Sequence, residues 1–180
     1  VGVAGYFLYG CLGVVVGFHR FLCHHSFKMA KWKERVVVTL GHMAGTASAI
    51  SWVAKHIEHH KFSDTAKDPH SPRNGVWKML TFGYKTSASA RSKAVLKLAR
   101  DPYYRALHEY YFLIHFVWMG LLFAVFGIDG VLFGHLVPVA FVVLGSAMTT
   151  LGQRLRQRHL TTTTRAALQL DRARLCDEAY

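Results

Sequence analysis

Residues 1–25 read VGVAGYFLYGCLGVVVGFHRFLCHH, an apolar run that is uncharged as far as Phe18 and ends in a group of histidines. About 20 residues are needed to cross the hydrocarbon core of a bilayer. We therefore interpret Val1–Phe18 as a membrane span whose start lies before Val1. The run has no charged region in front of it, which argues against a signal peptide.

The histidines next to apolar segments form two clusters. They are His19, His24 and His25 in the first cluster, and His56, His59 and His60 in the second. On a helix, the second cluster covers an arc of about 100° and can face one or two metal ions. His19 and His24 lie about 140° apart on a regular helix. They converge only if the helix unwinds between them; otherwise they reach different metals. Neutral imidazole suits iron, copper and zinc.

Further apolar segments predict more helices. Val36–Val53 is rich in small residues, which allow close helix approach, and we interpret it as a span or as a helix packed inside the protein. Tyr110–Phe126 and Val131–Leu151, joined by Gly-Ile-Asp-Gly, predict a helical hairpin. The predicted fold is all-α: a multi-pass transmembrane helical protein whose cytoplasmic helices carry the histidines.

The charge pattern supports a membrane protein. Lys and Arg number 22 against 10 acidic residues, but none lies in the apolar segments. Positive charge on one side of apolar segments follows the positive-inside rule, so we favour membrane topology over nucleic-acid binding. The same rule predicts that the histidine clusters face the cytoplasm. The membrane would be the bacterial inner membrane or that of the endoplasmic reticulum. Residues 26–35, basic with interleaved Phe27 and Trp32, predict a surface helix at headgroup level.

Both histidine clusters stand in longer motifs. Residues 17–28 read GFHRFLCHHSFK, and residues 52–72 read WVAKHIEHHKFSDTAKDPHSP. These stretches resemble the first and second histidine boxes of membrane fatty-acyl desaturases, written H-R-x-x-x-H and H-x-x-H-H. The resemblance covers about residues 1–152, which we interpret as a partial desaturase domain with a cut N-terminus.

The resemblance implies a chemistry and a site. Two non-haem irons activate O2, and two hydrogens leave a long acyl chain carried by CoA or by a membrane lipid. Electrons come from a cytochrome b5-like protein or a ferredoxin. The implied iron ligands are His19, His24, His56, His59 and His60. The predicted substrate-binding residues are Arg20, His25, Trp52, Lys61, Asp68 and His70.

The chain also departs from the family. No third histidine box follows the hairpin. Residues 153–180 form an atypical basic tail, which we interpret as frame-shifted or disordered. We therefore expect the chain alone to be incomplete and inactive. Two alternatives stay open: a related diiron fatty acid or alkane hydroxylase, and a non-catalytic membrane remnant.

The remaining histidines have no motif around them, and ordinary packing or solvation is the interpretation we favour. They are His42, His108, His115, His135 and His159. Of these, His115 and His135 fall inside the predicted hairpin. An ionisable residue inside a membrane span is a functional candidate.

Overall fold

A computed structural model describes residues 2–62, 65, 68 and 92–158. Within these residues the chain forms helices and no strand, which confirms the all-α prediction for this part. The helices are α1 Gly2–Cys23, α2 Lys31–Met43, α3 Ala49–Phe62, α4 Lys93–Arg100, α5 Pro102–Glu109, α6 Tyr111–Val131, a π-helical turn Leu132–Leu136, and α7 Val137–Arg158. Of the predicted basic tail, residues 153–158 continue α7, and the rest lies outside the described residues.

The winding of α1 changes along its length. Gly2–Tyr6 is α-helical, and Phe7–Cys23 is π-helical. At its end the His24 N–H donates to the carbonyl oxygen of His19 at 3.1 Å. Such i→i+5 bonds define the π-helix, so residues five apart lie about one turn apart. The unwinding that the five-residue spacing requires is therefore present, and His19 and His24 share one face.

The backbones of α1 and α2 meet at two glycines. A Cβ atom on Gly41 would lie 2.7 Å from Cε1 of Phe18 and 2.8 Å from the carbonyl oxygen of Gly13. Small residues permit this kind of close approach between apolar helices. The close approach predicted from the small residues of the second apolar segment is thereby confirmed.

The same segment, Val36–Val53, is not one helix. The helix α2 ends at Met43 and α3 begins at Ala49. Between them Gly45 has a φ of 71°, a left-handed conformation that glycine adopts without steric cost. Interpreting the segment as a single span or a single packed helix was therefore wrong, because the chain turns at Gly45.

The two later apolar runs form the predicted hairpin. Gly127 has a φ of 62° and a ψ of −155°, which interrupts the helix. The chain after it packs back on α6, so that His115 Nδ1 lies 3.2 Å from His135 Nε2. Two stretches, Gly2–Cys23 and Tyr111–Thr149, are long and apolar enough to cross a membrane. The structure is thus consistent with a membrane protein.

A buried core packs α3 against the C-terminal end of α1. Its members come from the first five helices, and they are Phe18, Leu22, Cys23, Val38, Ala49, Val53, Ala54, Val95, Tyr104 and Leu107. Phe18 and Val53 are completely buried. Full burial of such side chains contributes roughly 1.5–3 kcal/mol each. This core brings the two histidine clusters into one region.

An ion-pair network joins α2 to the start of α5. Arg35 donates through Nη2 to both carboxylate oxygens of Asp101, at 2.8 and 3.0 Å. Asp101 also caps α5 by accepting from the Tyr103 N–H at 3.0 Å. Burial acts to raise the pKa of Asp101, but the hydrogen bonds from Arg35, from the Tyr103 N–H and from Lys31 hold it below its ordinary value.

We expect Asp101→Asn to lower the free energy of unfolding by roughly 1.5–3 kcal/mol at pH 7, because the charge-assisted hydrogen bonds from Arg35 are lost while asparagine still caps the helix. Since the folded-state pKa lies below the ordinary value of 3.8, the stabilisation is present above that pH and is lost as the pH falls through the folded value. Denaturant unfolding in detergent at pH 7 and pH 3 measures both effects.

The exposed Asp129 provides the control. Asp129→Asn should change the free energy of unfolding by less than about 0.5 kcal/mol, as is usual for surface substitutions. Equal effects at both positions would show that the Arg35–Asp101 pair does not hold α2 to α5.

Candidate metal centre

Four imidazoles converge where α1 and α3 meet. His19 and His24 come from the π-helical end of α1, and His56 and His60 lie one turn apart in α3. One ligand nitrogen from each of them lies within 4.8 Å of all the others. Each side chain is half-buried. We call these four residues the imidazole group.

Hydrogen bonding alone does not account for this arrangement. The Nε2 atoms form a chain, with His19–His24 at 3.1 Å, His24–His56 at 3.4 Å and His56–His60 at 2.8 Å. A ring nitrogen of neutral imidazole either donates or accepts. The Nε2 atoms of His24 and His56 each have two such neighbours, so at most two of the three contacts can be hydrogen bonds. The remaining contact joins nitrogens whose proton or lone pair is already used in the other two bonds.

A cation resolves this conflict, because all four nitrogens can direct a lone pair at it. Metal–imidazole bonds of about 2.1 Å place ligands at right angles about 3.0 Å apart. The contacts of 2.8–3.4 Å match that separation. The donor set therefore fits a transition metal such as iron, zinc or copper, all of which accept imidazole.

Burial favours the neutral form, which metals require, for His24 and His56. Burial lowers the pKa of His56 well below 6.5, and His60, His19, His59 and His24 lower it further. Burial, with a contribution from His25, also lowers the pKa of His24. Since the folded-state values lie below the unfolded ones, these groups reduce the stability of the metal-free protein as the pH falls below about 6.5. Metal affinity falls in the same direction, because protons compete for the ring nitrogens.

His59 lies beside the imidazole group but outside it. Its ring centroid is 5.7 Å from that of His60, and its Nδ1 lies 2.8 Å from Oδ1 of the buried Asp68. A carboxylate at Nδ1 fixes the proton there and leaves Nε2 with its lone pair, as is common for metal-bound histidines. The sequence indicated a substrate contact for Asp68, and it did not indicate this pairing.

The similarity to known proteins agrees with this geometry. The family model described as "Fatty acid desaturase" matches residues 1–172. The chain belongs to the fatty acid desaturase family. No solved structure matches it at a significant level.

Curated relatives of this desaturase-family chain are named for different acyl substrates. The Delta-9 acyl-lipid desaturase 1 of Arabidopsis thaliana is 37% identical over 66% of the chain and 40% of its own length. The chloroplastic palmitoyl-monogalactosyldiacylglycerol delta-7 desaturase of the same plant is 33% identical over 76% of the chain and 38% of its own length. The acyl-CoA C20 Delta5-desaturase of Anemone leveillei is 32% identical over 81% of the chain and 45% of its own length. The chain thus spans less than half the length of these desaturases.

Trp52, a predicted substrate residue, lies directly against the imidazole group. Its ring stacks on that of His56, with centroids 4.7 Å apart and an angle of 16° between the planes. Its ring also lies edge-on to that of His19, with centroids 6.3 Å apart, and its centroid is 5.7 Å from that of Phe18. Trp52 therefore covers one side of the imidazole group and limits the access of water to it.

Three other predicted substrate residues are exposed. His25 is exposed, and its Nδ1 lies 2.9 Å from the carbonyl oxygen of Phe21. Arg20 and Lys61 are also exposed. His70 lies outside the described residues. Substrate binding by all of these residues stays a prediction.

A second set of histidines lies among the apolar helices; the sequence marked His115 and His135 as candidates, but it did not indicate that they meet His42. His42 is completely buried and stacks on His115 at 5.2 Å, while His115 contacts His135 across the hairpin. We call these three residues the histidine trio. Neither ring nitrogen of His42 makes a hydrogen bond of good geometry with a described residue. Ionisable residues within an apolar hairpin were the available signal, since such positions are rarely occupied without a purpose.

Proposed function

We propose that the full-length protein desaturates a long-chain fatty acyl group with O2 at a histidine-bound diiron centre. The observation that carries this proposal is the imidazole group, four ligand nitrogens within 4.8 Å at the end of an apolar helix. Iron supplies the strongly oxidising O2 chemistry that breaks an alkyl C–H bond, which side-chain acids and bases lack.

The chain's own residues hold the ligand nitrogens in place. The π-winding of α1 presents His19 and His24 together, and the i,i+4 spacing in α3 presents His56 and His60. We propose that these four hold one iron and that His59 serves the second, since its Nδ1 proton is held by Asp68. Two irons that each take about five or six donors need more than five histidines, so we propose that further ligands come from elsewhere in the protein.

An apolar substrate requires an apolar approach to this site. A cavity of about 590 Å³ lies between α1, α2, α5 and α6, with only apolar surface exposed in it. Met43, Ile114 and Trp118 are among the residues that line it. We propose that the cavity receives the acyl chain, since burying methylene groups there contributes about 0.8 kcal/mol each.

The location and partners follow from the same proposal. We propose a multi-pass protein of the bacterial inner membrane or endoplasmic reticulum, with the histidines on the cytoplasmic side. The substrate is an acyl-lipid or an acyl-CoA, as the names of the relatives state for those proteins. A cytochrome b5-like protein or a ferredoxin delivers the electrons.

Product analysis tests the proposal directly. Cells that express the full-length gene should accumulate fatty acids that are two hydrogens lighter than their precursors, as measured by gas chromatography and mass spectrometry. The purified protein should contain iron. A gain of one oxygen would instead indicate a hydroxylase. An iron-free protein that yields neither product would support a non-catalytic membrane protein.

A further inference from the structure

A second cavity, of about 470 Å³, lies between the end of α1 and the helices α2, α4 and α5. This volume is typical of small-molecule sites, which measure roughly 300–1,000 Å³. We call it the basic pocket, because four lysines surround an apolar wall of Phe21, Leu22 and Leu98. The lysines are Lys28, Lys31, Lys93 and Lys97.

The two carboxylates in the pocket are already neutralised. Glu34 accepts from Lys31 Nζ at 2.6 Å and from the Tyr104 hydroxyl at 2.7 Å. Asp101 accepts the two hydrogen bonds from Arg35 and lies 3.3 Å from Lys31 Nζ. The acidic charge of the pocket is therefore used within the protein, and so is the charge of Lys31.

The other three lysines carry positive charge that is not balanced in the same way. Lys28, Lys93 and Lys97 are exposed, and none makes an ion pair with a residue that the structure describes. They line one concave space, so their fields add there. The pocket consequently attracts an anion.

A short, well-anchored helix positions two of these charges. In α4, Ala94 and Val95 are buried, and the Ser92 side chain accepts from the Val95 N–H at 3.3 Å. Lys93 and Lys97 are four residues apart and therefore share a face. Like charges at this spacing weaken a helix unless an anion lies between them. Their placement at the pocket supports a phosphate-sized occupant.

The pocket adjoins the end of the apolar helix α1 that also carries His19 and His24, and from this we infer a place near the membrane surface. Phe21 and Leu22 stand between His19 and His24 in the sequence, at the end of the apolar helix α1. Trp32, on the neighbouring helix α2, is 67% exposed, as is common for residues at the headgroup level. Basic pockets at this level, beside apolar helices, are suited to lipid headgroups.

We propose that the basic pocket binds the phosphate group of the acyl substrate, so that the substrate is a phosphate ester, either a phospholipid or an acyl-CoA, and not a neutral glycolipid. Three ammonium groups without an ion-pair partner among the described residues suit a phosphate and give no advantage to the uncharged sugar that the name of one relative specifies. That the bound molecule is the substrate rests on the proposed desaturase function, whereas phosphate binding by the basic pocket does not depend on that function.

The test measures binding on iron-free, full-length protein in dodecyl maltoside, which contains no phosphate. Coenzyme A, phosphatidylglycerol and monogalactosyldiacylglycerol are titrated separately, with the affinity followed by microscale thermophoresis. We expect at least one of the two phosphate probes to bind at least tenfold more weakly to the Lys93→Gln/Lys97→Gln variant. The identity of that probe distinguishes an acyl-CoA from a phospholipid substrate.

Two variants serve as controls. Lys33→Gln removes an exposed lysine of α2 that does not line the pocket, and it should change the affinities less than twofold. Lys93→Arg/Lys97→Arg keeps both charges and should restore binding. The proposal is overturned if the Lys93→Gln/Lys97→Gln variant binds both phosphate probes as tightly as the wild type does, or if Lys33→Gln weakens binding equally. It is also overturned if the double variant loses as much affinity for the galactolipid as for the phosphate probes. Because iron is absent, such a result leaves the desaturase proposal untouched.

Discussion

His56→Ala should reduce the iron bound by the full-length protein to less than about a tenth and slow product formation by at least about 100-fold. His56 is the central member of the imidazole group, with its Nε2 next to those of both His24 and His60. Loss of a residue that only supports a ligand costs about 10–100-fold, so loss of a ligand should exceed that range. Iron analysis by mass spectrometry and fatty-acid profiling provide the measurements.

A thermal readout separates a metal ligand from a packing residue. Iron stabilises the folded state only as far as it binds that state. We therefore expect added Fe(II) to raise the melting temperature of the wild-type protein and to leave that of His56→Ala unchanged. The control is His108→Gln, because His108 lies outside the imidazole group and bonds Ser48 at 2.7 Å. A normal iron-dependent shift in His56→Ala would show that His56 is not a ligand.

Gly41→Ala should have the second large effect, although Gly41 is not itself a candidate ligand. Its new Cβ would lie 2.8 Å from the carbonyl oxygen of Gly13, and backbone atoms there cannot move aside as a flexible side chain can. Overpacking costs typically 1–3 kcal/mol. We expect a loss of about 2–3 kcal/mol in the free energy of unfolding, together with weaker iron binding, because the same crossing carries His19 on α1.

Gly120→Ala is the matched control, since a Cβ at Gly120 meets nothing within 4 Å. Alanine in the interior of a helix is favoured over glycine by roughly 0.5–1 kcal/mol. We therefore expect this variant to be as stable as the wild type or more stable, with full iron binding. Denaturant unfolding in detergent compares the two substitutions. If both lowered stability equally, the glycine crossing would not be the cause.

Periodic features of the sequence predicted much of the fold. The apolar runs predicted α1 and the hairpin, and the i,i+4 spacing of His56 and His60 predicted their common face in α3, whereas α4 and α5 lie in a polar stretch and were not predicted. The turn at Gly45 was missed, because the hydropathy of Val36–Val53 is nearly continuous through it. A single left-handed glycine leaves no trace in hydropathy, since it depends on one backbone angle.

Long-range pairings could not be derived from spacing. His42, His115 and His135 are far apart in the sequence, and their contacts depend on how α2 crosses the hairpin. The pairing of His59 with Asp68 likewise depends on the path of the chain after α3. By contrast, the ligand types followed from local motifs, because the residues of each cluster lie within one or two helical turns.

The π-winding at the end of α1 also has a consequence for engineering. An i→i+5 bond joins His24 to His19, so a donor pair spaced by five residues has a backbone geometry of its own. Grafting this pair onto an ordinary α-helix would rotate one imidazole away by about 140°. A designer who moves the site to a new scaffold should therefore delete one intervening residue or copy the wide helical turn with it.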